Sequence, residues 1–254
     1  MKTLTKTPEY SHHMLEAKTV IPGFRPNPYW TPDPLISGHG VFSGILTGGH
    51  EIIVKPHTVT RRAYNEAGRI NSVVKLGINT PNLHGVYLGN YATYLAVDRY
   101  RGLQTVGQLN LDVDIADRSL YRSIKPAIST AVNGIAGMHL KGVVHGDFQA
   151  KNAAFGPENE FVAIDLEKSQ PNVSLENGHK GRANDLYLLG ASLLLSRLIS
   201  GRKPLYRAGF VSAHVLGEYT ESVNQESDFV DYEKITDAFE KVAKTSLKAR
   251  FSKL

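Results

Sequence analysis

Val143-Val144-His145-Gly146-Asp147-Phe148-Gln149-Ala150-Lys151-Asn152 decides the reading of this chain, together with Phe161-Val162-Ala163-Ile164-Asp165 shortly after it. Between the two runs, Ala153-Ala154-Phe155 reads as a strand and Gly156-Pro157-Glu158-Asn159-Glu160 as a turn. Phe161 to Ile164 is then the returning strand. Antiparallel pairing closes such a hairpin at its open end, so Asn152 and Asp165 are expected as neighbours. Two oxygen ligands there, with the Asp147 carboxylate just upstream, suit a hard Mg²⁺ carrying a nucleotide phosphate. That is the metal end of a phosphoryl-transfer site.

Upstream, Leu35 to Thr47 reads as strand, glycine loop and strand, and Gly48-Gly49 as the turn into a further strand ending at Lys55. Gly38 and Gly40 bracket the tip of the loop. Without a Cβ they let backbone N–H groups approach a polyphosphate. Lys55 follows the apolar Ile53-Val54, and a lysine at such a place needs a counter-charge. Glu66, on a helix expected over Arg61 to Lys75, is the candidate. Further strands are expected at Leu83 to Leu88 and Tyr94 to Val97, followed by a polar linker from Asp98 to Gly102.

Downstream, Leu120, Ile124, Ala127, Ile128, Ala131, Val132, Ile135 and Met138 recur at helical spacing. They predict a core helix leading into the decisive loop, with Pro126 as a kink or restart. His145 is expected to face the core and support the loop. A second, nearly all-apolar helix is expected from Asp185 to Ile199, with Asp185 complementing the dipole in its first turn. Helices are also expected near Ala208–Gly217 and Tyr232–Lys248. Residues 1 to about 30 carry Pro22, Pro26, Pro28, Tyr29 and Trp30 without clear periodicity, and read as an extension packed over the first lobe.

The 254 residues allow one large domain or two small lobes, and 41% hydrophobic content is enough for a real core. The absence of cysteine excludes disulfides and thiolate metal sites, and fits a cytoplasmic setting. No apolar run reaches membrane-spanning length; Arg197 interrupts the most apolar stretch. No charged-then-apolar leader opens the chain. The net charge of +5 suits an anionic ligand such as ATP or a phosphorylated acceptor, and nucleic acid or membrane headgroups equally well. With the basic residues scattered, no nucleic-acid partner is expected. The terminal Ser252-Lys253-Leu254 spells a peroxisomal address, more simply a chance match in a lysine-rich tail.

His145, Asp147 and Asn152 match the H-x-D-x-x-x-x-N loop of the protein-kinase-like superfamily, and Asp165 stands where that family has its D-F-G aspartate. The resemblance covers roughly residues 35 to 199. It implies an α+β, two-lobed fold: an extension (1–30), a small β-rich N-lobe (31–98) and a mainly helical C-lobe (99–254). It further implies that Asp147 is the catalytic base, that Asn152 and Asp165 hold Mg²⁺, and that Lys55, paired with Glu66, binds the phosphates of ATP. Gly38 and Gly40 would cover those phosphates, backbone groups of Asp98 and Tyr100 would receive adenine, and Asp185 would anchor the loop backbone.

Departures from the regulated protein kinases narrow the branch. Gly146 replaces the arginine that reads a phosphorylated activation loop, and Asp165-Leu166-Glu167 replaces D-F-G. The short segment between Asp165 and Asp185 leaves little room for peptide binding. These features resemble aminoglycoside phosphotransferases and lipopolysaccharide-core sugar kinases, which implies a small-molecule or sugar hydroxyl as acceptor. A compact atypical serine/threonine kinase with a protein acceptor, or a nucleotide-binding pseudokinase scaffold, are the competing readings. Gln149 stands where serine/threonine kinases carry lysine, so Lys151 is the residue expected to place positive charge on the transferring phosphoryl group.

Overall fold

Burial alternates at the start of the run Glu51 to His57, with Ile52 and Val54 buried and Glu51 and Ile53 half-buried, and this run becomes the middle strand of a five-stranded antiparallel sheet. The computed structural model describes residues 8–27, 40–112, 120–174, 178–199 and 208–224, together with Asp237. Its strands β1 (Arg25–Pro26), β2 (Phe42–Ile45), β3 (Glu51–His57), β4 (Leu83–Leu88) and β5 (Thr93–Asp98) take the order β1-β2-β3-β5-β4. Gly48 and Gly49 both have positive φ and make the turn between β2 and β3. The sheet belongs to one of two units, residues 1–74 with 81–100; residues 75–80 and 101–254 form the other.

Residues 8–27, within the stretch expected as an extension, build a helix and an edge strand of the sheet unit. Helix α1 (Pro8–Val20) has an apolar stripe too short to show as a period in the sequence. Met14 and Ala17, with Ile21 and Phe24 just beyond the helix, join Phe42, Ile52, Val54, Tyr94 and Ala96 in one core cluster. Burying Ile21 and Phe24 contributes about 2 kcal/mol each. Glu16 on the same helix is buried and accepts from Tyr94 Oη–H at 2.6 Å and Tyr91 N–H at 3.0 Å, and also from Asn90 N–H. Burial alone would raise its carboxyl pKa; these donors outweigh it and hold the carboxyl below its ordinary range. The turn between β4 and β5 is thereby tied to α1.

Helix α2 (Thr60–Lys75) buries Ala63, Glu66, Ala67, Ile70 and Val73, a one-faced stripe at helical spacing. It stops just before Gly77, whose φ of +66° suits a helix C-terminus.

The second unit holds α3 (Val106–Asp112), α4 (Leu120–Leu140), α5 (His179–Ile199) and α6 (Ala208–Asn224). It also carries a small sheet of β6 (Gln104–Thr105), β7 (Ala153–Phe155) and β8 (Phe161–Ala163). Pro126 lies inside α4 without a restart, because the helix runs unbroken from Leu120 to Leu140. Ile124, Ala127, Ile128, Ala131, Val132, Ile135 and Met138 are buried along it, as their spacing predicts. Helix α5 begins at His179, six residues earlier than expected. Asp185 therefore lies beyond the first turn, where the dipole has faded. Helix α6 extends past the expected Gly217, and the helix expected at Tyr232–Lys248 falls outside the described residues. Among the described residues no helix is long and apolar enough to cross a membrane.

Candidate active site

The hairpin β7–β8 pairs Ala153 with Ala163, so Asn152 and Asp165 sit at its open end as the sequence predicts. The loop entering it is held at many points. Val144 and Gln170 exchange both backbone hydrogen bonds, at 3.0 and 2.7 Å. Phe148 is fully buried, with its ring 5.4 Å from that of His145 and 6.0 Å from that of Phe161. Ala150 N–H donates to Ser192 Oγ at 2.7 Å.

Asp185, fully buried, accepts from His145 N–H and Gly146 N–H, both at 2.8 Å. Charge-assisted bonds to two successive amides fix the loop more firmly than neutral partners would. This is the anchoring role the resemblance implies. His139 Nε2 donates to Asp185 Oδ2 at 3.2 Å, while its Nδ1 accepts from Tyr219 Oη–H at 2.9 Å. Burial, aided by the charge of Arg182, outweighs the Asp185 bond and holds the His139 imidazole below its ordinary pKa. A neutral ring can both give and accept, as this chain of bonds requires.

His145 is buried and donates from Nε2 to Ile164 O at 3.0 Å, joining the loop to the end of β8. With that proton on Nε2, the imidazole is a support and not a proton donor to substrate. Gly146 has φ of +80°, and a Cβ there would lie 2.4 Å from Lys168 O. The sequence shows a glycine in place of arginine; the structure shows that no side chain fits.

Asp147 is half-buried. Its Oδ1 accepts from Gln149 Nε2 at 2.7 Å and its Oδ2 from Lys168 Nζ at 3.1 Å. Lys168 belongs to no motif, so the sequence carries no signal for it. A short 3-10 turn, Leu166–Lys168, brings it back onto the loop. Lys151, expected to carry the charge, is half-buried and has no ion pair among the described residues.

Asn152 Nδ2 donates to Asp147 O at 2.9 Å, so its Oδ1 is the atom that could ligate a metal. Asp165 has φ 57° and ψ 54°, uncommon for a residue with a side chain, and makes no capping bond to the turn it precedes. An amide oxygen and a carboxylate are an all-oxygen donor pair, the kind that fits Mg²⁺.

In the sheet unit, Lys55 Nζ lies 3.0 Å from Glu66 Oε2 and 3.2 Å from Oε1. The pair that spacing predicted is formed. His57 Nε2 is 3.1 Å from Glu66 Oε2, within ion-pair range but outside hydrogen-bonding geometry. Gly40 has φ of +64°, and Gly38 lies outside the described residues. Asp98 closes β5 and Tyr100 follows two residues later. The Asp98 amide already donates to Asn82 O at 2.9 Å, so any contact with adenine would have to use its carbonyl.

One unit is thus an antiparallel sheet with helices, and the other is mainly helical with a small sheet. No protein-family model matches the chain, and no curated protein matches it. Among solved structures, an aminoglycoside-3'-phosphotransferase of type VIII is similar with a TM-score of 0.49 and 18% identity, covering 90% of this chain and 99% of that one.

Proposed function

We propose that the chain is a phosphotransferase that moves the γ-phosphoryl group of ATP to a hydroxyl of a small molecule or sugar. The observation that carries this reading is the loop clamped by Asp185. It carries Asp147, with Lys168 Nζ 3.1 Å from its carboxylate, and leads into the hairpin whose open end carries Asn152 and Asp165.

Asp147 orients the acceptor hydroxyl and takes its proton as the oxygen attacks γ-phosphorus. The new O–P bond forms while the bond from γ-phosphorus to the bridging oxygen breaks, and ADP departs with the bridging electrons. Lys55, held by Glu66, binds the nucleotide phosphates. Asn152 and Asp165 hold Mg²⁺, which when bound neutralises phosphate charge. Gly38 and Gly40 cover the phosphates, and backbone groups of Asp98 and Tyr100 receive adenine. Positioning and charge, more than covalent chemistry, supply the rate. Lys151 and Lys168 are the two candidates for charge on the transferring group, and the contact with Asp147 favours Lys168.

The test is ATP turnover with panels of sugars, aminoglycosides and proteins. Transfer to a small hydroxyl compound, lost in Asp147→Ala with ATP binding retained, is the expected result. Transfer only to protein would move the assignment to a compact protein kinase. ATP binding with no transfer to any acceptor would leave a scaffold.

A further inference from the structure

The side chain of Asp98 takes no part in the roles above, yet it is the focus of a second polar cluster within the sheet unit. His50, the residue before β3, places Nε2 2.7 Å from Asp98 Oδ1. His84 on β4 directs its own Nε2 at the same oxygen. Asn82 Nδ2 donates to the other oxygen, Oδ2, at 2.8 Å. The two imidazole rings meet edge to face with centroids 4.7 Å apart.

His84 reaches this place through an irregularity in the sheet. Leu83 pairs with Val97 and Gly85 with Ala96, so His84 is the extra residue of a bulge. A bulge re-aims a side chain that regular pleating would send elsewhere. The first pair of β3 with β5, Ile52 with Asp98, puts His50 beside the same strand end. The start of β3, the bulge in β4 and the end of β5 thus bring one ligand-type atom each to a common point, all within 4.8 Å of one another.

We propose that His50, His84 and Asp98 bind a borderline divalent transition metal, Zn²⁺ foremost, with solvent completing the coordination. Two imidazole nitrogens and one carboxylate oxygen are a donor set for Zn²⁺. Mg²⁺ prefers oxygen throughout, so the site discriminates against the ion assigned to Asn152 and Asp165. A tetrahedral ion with bonds near 2.0–2.1 Å separates its ligand atoms by roughly 3.3 Å. From 2.7 Å, His50 has to retreat by only about 0.6 Å.

The His50 side chain is 55% exposed and that of His84 26%, so both rings can turn and an ion can enter. Asn82 fixes the carboxylate from behind, as partners of metal ligands do. Arg99, next in sequence, donates to Glu51 at 2.9 Å and does not compete for Asp98. A bound ion ties the beginnings of β3 and β4 to the end of β5, where the polar linker starts. This inference does not rest on the phosphotransferase reading.

The experiment is equilibrium dialysis of the full chain against ZnCl₂ in a large excess of MgCl₂, with Co²⁺ as a spectroscopic probe. One Zn²⁺ per chain, and the intense visible bands of four-coordinate Co²⁺, are expected. His50→Ala and His84→Ala should each weaken Zn²⁺ binding on the order of 100-fold, and Asn82→Ala about tenfold. The metal-free variants should melt at the wild-type temperature, which separates ligand loss from unfolding. If no saturable site is found, or if His50→Ala and His84→Ala bind Zn²⁺ as the wild type does, the proposal is overturned and the cluster is a hydrogen-bonded one only.

Discussion

Among the described residues, two lysine–carboxylate pairs of nearly equal length are built to different ends. Lys55 and Glu66, at 3.0 Å, have side chains only 16% and 4% exposed. Lys168 and Asp147, at 3.1 Å, leave the lysine 61% exposed. Removing one partner of a buried pair strands a charge away from water, at a cost of about 3–5 kcal/mol. An exposed pair contributes at most about 1 kcal/mol. The first pair holds a fixed geometry in the sheet unit. On the proposed function, the second would leave Asp147 able to exchange its lysine for an acceptor hydroxyl, and Lys168 able to follow the phosphoryl group.

The largest effect expected from this contrast is in Asp147→Asn, which should lower turnover by about 10²- to 10⁴-fold, the usual contribution of a positioned base. Its unfolding free energy in urea should stay within about 1 kcal/mol of wild type. Glu66→Ala should reverse that pattern in stability, losing about 3 kcal/mol or more and raising the KM for ATP. Equal stability losses in the two variants would erase the distinction between the pairs.

Gly146→Ala probes the surroundings of the exposed pair. Its Cβ would meet Lys168 O at 2.4 Å and take a positive φ, so a loss of about 1–3 kcal/mol is expected together with loss of turnover. Lys168→Ala should change stability by less than about 0.5 kcal/mol. Its turnover should fall by about tenfold, with KM for ATP unchanged, if it follows the transferring charge. Lys151→Ala, assayed alongside, should keep near-normal kcat; the opposite ranking would return the role to Lys151.

The smallest effect concerns pH. The folded-state pKa of His139 lies below the unfolded value near 6.5, so the unfolded chain binds this proton first. The stability this buried neutral ring contributes is present above about pH 6.5 and lost as pH falls below it. Urea denaturation between about pH 7 and pH 5 should show a shallower decline in His139→Gln than in the wild type.

Legibility in the sequence followed the range of the contacts. Lys55 and Glu66 lie eleven positions apart on a strand and the next helix, and ordinary periodicity places both. The hairpin announces itself through its turn residues, so the neighbourhood of Asn152 and Asp165 could be read directly. The anchoring of the loop by Asp185 was legible through the family pattern, whereas its place in α5 was not. The helix starts before the apolar run that marked it, on His179, Lys180 and Gly181. The stripe of helix α1 spans too few turns to stand out among the prolines and aromatics that follow it.

By itself the sequence determined the α+β make-up, the strand and helix carrying Lys55 and Glu66, and the loop and hairpin carrying Asp147, Asn152 and Asp165. Each of these rests on spacing within one or two adjacent elements, which the backbone periods of 3.6 and 2 translate into direction. Only the tertiary structure decided that Lys168 faces Asp147, that Glu16 holds a turn 74 positions away, and that His50 and His84 share one oxygen of Asp98. Those contacts depend on a turn after Asp165, on helix packing and on a one-residue slip between strands. A slip of one residue redirects a side chain while leaving the composition of the strand unchanged, so no local pattern records it.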